Sequence, residues 1–140
     1  MQPERPMQPE RPKVETILVA DDDPQILALI SRHLAREGYR VVQATDGQEA
    51  LDRARTERPD IVLLDVLMPG MSGWEVARDM RRDPELKDTP IVFLTAIGQA
   101  VADATSPLFA DGHLNKPFEM KELDDIIATT LKKRRPRSQG

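Results

Sequence analysis

From Thr16 onward, short apolar runs alternate with longer stretches whose apolar residues recur every three or four positions. Runs of four or five apolar residues are too short for helices and suit strands buried on both faces, whereas the three-to-four spacing marks a helix with one apolar stripe. Thr16–Ala20 (TILVA) predicts the first strand. Asp23 then offers a capping side chain and Pro24 a first helical residue that needs no N–H donor. Ile26, Leu27, Ile30 and Leu34 form that helix's stripe, which Gly38 ends. Arg40–Ala44 predicts a second strand, and Asp46-Gly-Gln-Glu49 has the spacing of a capping box that opens a helix with Ala50, Leu51 and Ala54, stopped by Pro59. Ile61–Asp65 predicts a third strand closed by a carboxylate. Ser72-Gly-Trp-Glu75 is a second capping box, leading a helix with Val76, Ala77 and Met80 that ends before Pro84. Ile91–Leu94 predicts a fourth strand, residues 98–106 a helical stretch, and Gly112–Asn115 a weak fifth strand. A last helix after Pro117 carries Met120, Leu123, Ile127 and Leu131 on one face.

Five strand–helix pairs with strands apolar throughout imply an α/β chain of (βα)5 type, its parallel sheet covered on both faces. Right-handed crossovers then favour a doubly wound arrangement. In such sheets ligands bind beyond the carboxyl ends of the strands, at the switch point of strand order. At those ends the sequence places Asp21-Asp22-Asp23 after the first strand, Asp65 at the third, Thr95 at the fourth and Asn115-Lys116-Pro117 at the fifth. Gathered carboxylates repel, which raises a pKa unless a cation joins them. A hard dication such as Mg²⁺, which takes one or two carboxylates and a phosphate oxygen while keeping waters, suits the set. Lys116 adds a compact positive charge for a phosphate. A nucleophilic carboxylate with no histidine or cysteine beside it fits a covalent aspartyl-phosphate, where positioning and charge neutralisation carry the chemistry. Taken singly, Asp23 is an ordinary N-cap, Asp65 a turn residue, Lys116 a solvated lysine and Thr95 a strand residue. Their convergence on one edge gives them weight.

A length of 140 residues accommodates one domain. Residues 1–12 read MQPERP twice, too rich in proline and too poor in apolar residues to build a core, so 1–13 is expected to be an extended arm. The folded unit is expected at 14–131 and a basic tail at 132–140. That tail carries Lys132, Lys133, Arg134, Arg135 and Arg137 with no acid, a charge of +5 within a formal total of −4, which leaves the rest at −9. An acidic body repels nucleic acid, so such a contact would have to come through the tail. No apolar run approaches the length of a membrane span, the start is too polar for a signal peptide, and there is no cysteine. The expectation is a cytoplasmic protein without a membrane partner.

The segments ILVADDDP, DIVLLDVLMPGMSGWE, PIVFLTA and HLNKPF resemble those of the response-regulator receiver family of two-component signalling, and the likeness covers about residues 15–131. The resemblance implies a flavodoxin-like strand order 2-1-3-4-5, with Asp65 as phosphoacceptor and Asp21, Asp22, Asp65 and the backbone carbonyl of Leu67 as the Mg²⁺ site. It implies Thr95 as a switch hydroxyl beside the small Ala96, Lys116 as the phosphate-binding lysine, and a cis bond before Pro117. A histidine kinase or phosphotransfer protein would donate phosphate and a downstream target protein would read the result, the chain being a monomer or weak dimer and no enzyme beyond its own phosphotransfer and dephosphorylation. Three departures stand out. His113 occupies the place of the family's usual aromatic reporter, either as a planar ring in that role or as an ordinary half-buried imidazole. The Thr95–Lys116 interval is about one residue short and contains Pro107, so the fourth helix should be irregular. Leu67 and Ile97 flank the site with side chains that cannot orient an attacking water, which predicts slow phosphate loss. The alternative reading is a phosphorylation-independent interaction module of the same fold. A phosphotransferase of haloacid-dehalogenase type would need an Asp where Leu67 stands, and no Gly-rich phosphate loop follows the first strand.

Overall fold

The computed structural model describes residues 14–96 and 110–133. The elements are β1 (Thr16–Ala20), α1 (Pro24–Arg36), β2 (Arg40–Ala44), α2 (Gly47–Glu57), β3 (Ile61–Asp65), α3 (Gly73–Arg82), β4 (Ile91–Ala96), β5 (Gly112–Lys116) and α4 (Met120–Lys133). The helical stretch expected at 98–106, with Pro107, lies outside the described residues, as do the arm at 1–13 and residues 134–140. The last helix runs on through Lys132 and Lys133, where two ammonium groups in the final turn favour the helix dipole.

All neighbouring strands are parallel, in the order β2-β1-β3-β4-β5. Alternation along each strand sorts the core into two layers. Leu18, Ala20, Val62, Leu64 and Phe93 face α2 and α3, meeting Leu51, Val76 and Met80. Ile17, Val19, Leu63, Leu94 and Leu114 face α1 and α4, meeting Leu27, Ile30, Leu34, Leu123 and Ile127. β3 is buried at all five positions, which puts Asp65 at the end of the most enclosed strand. Trp74 packs against Phe93 with ring centroids 6.0 Å apart, a packing role at the start of α3.

The caps follow the sequence with one adjustment. Asp23 accepts from the N–H groups of Gln25 and Ile26, and Ser72 and Glu75 form the reciprocal box. At α2 the Asp46 side chain accepts from the Glu49 N–H, but Glu49 turns to Thr45, whose N–H (2.8 Å) and hydroxyl (3.0 Å) both donate to it. Two donors on Thr45 outcompete the single N–H of Asp46.

Two helix starts are clamped to the loop after β3 by glycine. A Cβ on Gly73 would lie 2.3 Å from the Asp65 carbonyl oxygen and 3.0 Å from Val66 Cα, and one on Gly47 would lie 2.0 Å from the Met71 carbonyl oxygen. Both obstacles are backbone, which cannot swing aside. Gly73→Ala is therefore expected to destabilise the chain by about 1–3 kcal/mol through overpacking, read as a lower urea midpoint. A wild-type midpoint for that variant would mean that the strand end and α3 are less tightly joined than the distances indicate.

Candidate functional site

At the carboxyl edge the ladder continues one residue past β1, the Asp21 N–H donating to the Ala44 carbonyl at 3.1 Å. This fixes the Asp21 backbone and leaves its side chain fully buried. Its Oδ1 accepts from the Asp23 N–H at 2.9 Å and its Oδ2 from Lys116 Nζ at 2.8 Å. Asp65 is 6% exposed. Its Oδ1 accepts from the Leu67 N–H at 3.3 Å, and its Oδ2 lies 3.5 Å from Lys116 Nζ. Asp22 is exposed, and one oxygen from each of Asp21, Asp22 and Asp65 lies within 4.8 Å of the other two. The ammonium of the edge strand β5 thus serves two carboxylates from inner strands.

The charges do not balance within this group. Burial pushes the Asp65 carboxyl from its ordinary 3.8 up to about 7, and the Asp21 charge adds to the push. Lys116 and the Leu67 N–H draw it back only in part, and Asp22 raises it further. Burial alone would lower the Lys116 ammonium, but its hydrogen bond with Asp21 and the charges of Asp65 and Asp21 outweigh burial and raise it. An excess of negative charge among hard oxygen donors, with no imidazole or thiolate in the group, fits a dication of the Mg²⁺ kind.

The structure brings Asp21, Asp22, Asp65 and Lys116 together but directs Thr95 elsewhere. Thr95 is fully buried, and its hydroxyl donates to Asn115 Oδ1 at 3.0 Å, its partner in the β4–β5 register. Asn115 is thus a site neighbour that sequence reasoning left without a role, because only the register shows the two residues side by side. His113 is half-buried opposite Phe93. Leu67, two residues after Asp65, is 62% exposed. The Lys116–Pro117 bond is cis, as expected. Ile97 lies outside the described residues.

The raised Asp65 carboxyl has a thermodynamic consequence. Between about pH 4 and 7 the folded chain holds a proton that the unfolded chain has released, so folding stability falls as pH rises through that window and stays reduced above it. Asp65→Asn removes the burden. In metal-free buffer at pH 8 this variant is expected to be more stable than wild type by about 2–4 kcal/mol, each pKa step being worth about 1.4 kcal/mol. The gap should close below pH 4 and shrink at pH 8 when Mg²⁺ is added. Urea unfolding across pH checks this; equal stabilities at pH 8 would contradict the charge imbalance.

A family model for the response regulator receiver domain matches residues 17–128. The chain is 39% identical over 119 residues to the DNA-binding dual master transcriptional regulator RpaA of Synechocystis, covering 84% of this chain and 49% of that protein. It is 37% identical over 118 residues to the alkaline phosphatase synthesis transcriptional regulatory protein PhoP of Bacillus subtilis, covering 84% of this chain and 48% of that one. The chain spans about half the length of the curated relatives it matches. Among solved structures, the response regulator protein TrrA of Thermotoga maritima, in complex with Mg²⁺–BeF, superposes with a TM-score of 0.76 at 38% identity, covering 84% of this chain and 99% of that one. The strand order, the acidic strand-end group and these matches agree: the chain belongs to the response regulator receiver domain family.

Proposed function

We propose that this chain is a phosphorylation switch of two-component signalling, accepting a phosphoryl group on Asp65 with Mg²⁺. The observation that carries the reading is the meeting of three carboxylates from β1 and β3 within 4.8 Å, with Lys116 Nζ 2.8 Å from Asp21 and 3.5 Å from Asp65. Asp65 supplies the attacking oxygen. A phosphohistidine on a histidine kinase or phosphotransfer protein supplies the phosphorus: the O–P bond forms, the P–N bond breaks, and the departing imidazole nitrogen keeps the electron pair and takes a proton. Lys116 sets a fixed positive charge beside the incoming oxygens. When bound, Mg²⁺ supplies the charge that lets an anionic carboxylate approach an anionic phosphoryl group, and Asp21, Asp22, Asp65 and the Leu67 carbonyl are the residues that would hold it.

In this reading Thr95 is the switch hydroxyl, leaving Asn115 for the phosphoryl oxygens, and His113 is the half-buried ring that follows it. The working unit is 14–131, with Lys132 and Lys133 continuing its last helix. The chain acts in the cytoplasm as a monomer or weak dimer. A downstream target protein reads the altered surface. Receiver domains are not enzymes acting on a separate pool of substrate, and the chemistry here is confined to the chain's own phosphotransfer and dephosphorylation.

Incubation of the full chain with acetyl phosphate and Mg²⁺ is expected to add one phosphoryl group by intact mass, absent in Asp65→Asn and without Mg²⁺. Lys116→Ala should slow the gain by about 10²-fold, the usual cost of removing one charge-stabilising group. No gain in wild type would favour a phosphorylation-independent interaction module. The apolar Leu67 side chain offers no group to orient water, so the phosphorylated chain is expected to lose its phosphate slowly; a half-life of seconds would count against that assignment.

A further inference from the structure

A second group of donor atoms lies on the helices. His33 and Glu37 are four apart in sequence, in the last turn and at the C-cap of α1, and Asp124 reaches them from α4. His33 Nε2 is 2.8 Å from Asp124 Oδ1, and one donor atom from each of His33, Glu37 and Asp124 lies within 4.8 Å of the other two. His33 is ten residues along α1 from the Asp23 cap, about 15 Å at the rise of a helix, so this group is separate from the strand-end site.

We propose that His33, Glu37 and Asp124 form a zinc-class metal site that ties α1 to the C-terminal helix. Zn²⁺ with bonds near 2.0–2.2 Å in a tetrahedron holds its donors about 3.3–3.5 Å apart. The observed separations, from 2.8 Å to at most 4.8 Å, bracket that value, so side-chain rotation suffices to seat the ion. One imidazole and two carboxylates neutralise a dication and leave a position for water, and the imidazole selects Zn²⁺ over Mg²⁺. A plain ion pair between His33 and Asp124 would leave Glu37 without a purpose. Among the described residues the Glu37 carboxylate has no hydrogen bond or ion pair, and Arg36 in the same turn does not pair with it. The chain has two histidines and no cysteine, so a site with a nitrogen ligand must use His33 or His113.

The test is calorimetric titration of the full chain with Zn²⁺ in excess Mg²⁺, which keeps the strand-end carboxylates occupied. One Zn²⁺ should bind, and His33→Gln and Glu37→Gln should each weaken it roughly tenfold or more, the scale on which even outer ligand partners act. His113→Gln should bind as wild type does. Glu37→Gln is the decisive variant, because it leaves the His33–Asp124 contact intact and removes an exposed group whose loss does not threaten folding. The thermal midpoint should rise with Zn²⁺ in wild type and not in His33→Gln. No binding by wild type, binding unchanged in Glu37→Gln, or binding lost instead in Asp22→Asn would each overturn the site.

Discussion

Two carboxylates and one ammonium held almost out of water at the carboxyl edge of the sheet set the terms for the rest of the structure. Asp21 and Asp65 sit on adjacent strands, and Lys116 reaches both from the end of β5. Like charges at this range would separate if the backbone allowed it, since each escape into water recovers hydration. The backbone does not allow it. The Asp21 N–H remains in the ladder with Ala44, the Asp23 and Leu67 N–H groups hold one oxygen of each carboxylate, and Gly73 lets α3 press directly on the end of β3. The apolar layers on both faces make the strands too costly to displace, so the fold bears the burial of Asp65, and with it the repulsion from Asp21, as a raised carboxyl rather than as movement.

The sequence was informative wherever a signal is local. Strand starts, the Asp23 and Ser72 caps and the helix stripes depend on neighbours within four residues, and they stand where the spacing puts them. The misses share one cause. β4 runs through Thr95 and Ala96, and β5 through Lys116, because pairing with the neighbouring strand continues after the apolar run has stopped. Apolarity reports burial, whereas strand length reports hydrogen bonding, and the two part at a site where polar side chains must project from the ladder. Glu49 shows the same limit on a smaller scale, since the capping spacing cannot tell whether the carboxylate will choose Asp46 or the two donors of Thr45.

For the site, residue types at the ends of successive strands were enough to nominate Asp21, Asp22, Asp65 and Lys116. They were not enough to order them by burial or to give Asn115 a role. Distances between strands settle which carboxylate shares Lys116 most closely, and register settles what Thr95 meets. His33 and Asp124 are 91 residues apart, so no window of sequence could have joined them. Asp22 was legible as an acid but not as the exposed member of the trio, the one carboxylate from which an ion could approach without crossing the core.

The Thr95–Asn115 contact bears on how the proposed switch would work. A hydroxyl bonded to a neutral amide contributes about 0.5–1.5 kcal/mol net, whereas a bond to a charged acceptor contributes about 1.5–3 kcal/mol. With no phosphoryl group, the buried Thr95 hydroxyl would lose its acceptor if it left Asn115, so the pairing with Asn115 is the stable one. In the proposed switch, a phosphoryl group on Asp65 would let the hydroxyl exchange a neutral acceptor for an anionic one, tipping the balance by about 1 kcal/mol. That margin is a population shift of about fivefold, not an all-or-none change. A larger response would require further groups to move with Thr95, and His113 lies two residues before Asn115 on the same face of β5. The side chain that departs from the family's usual aromatic thus lies on the strand face that already carries the partner of Thr95.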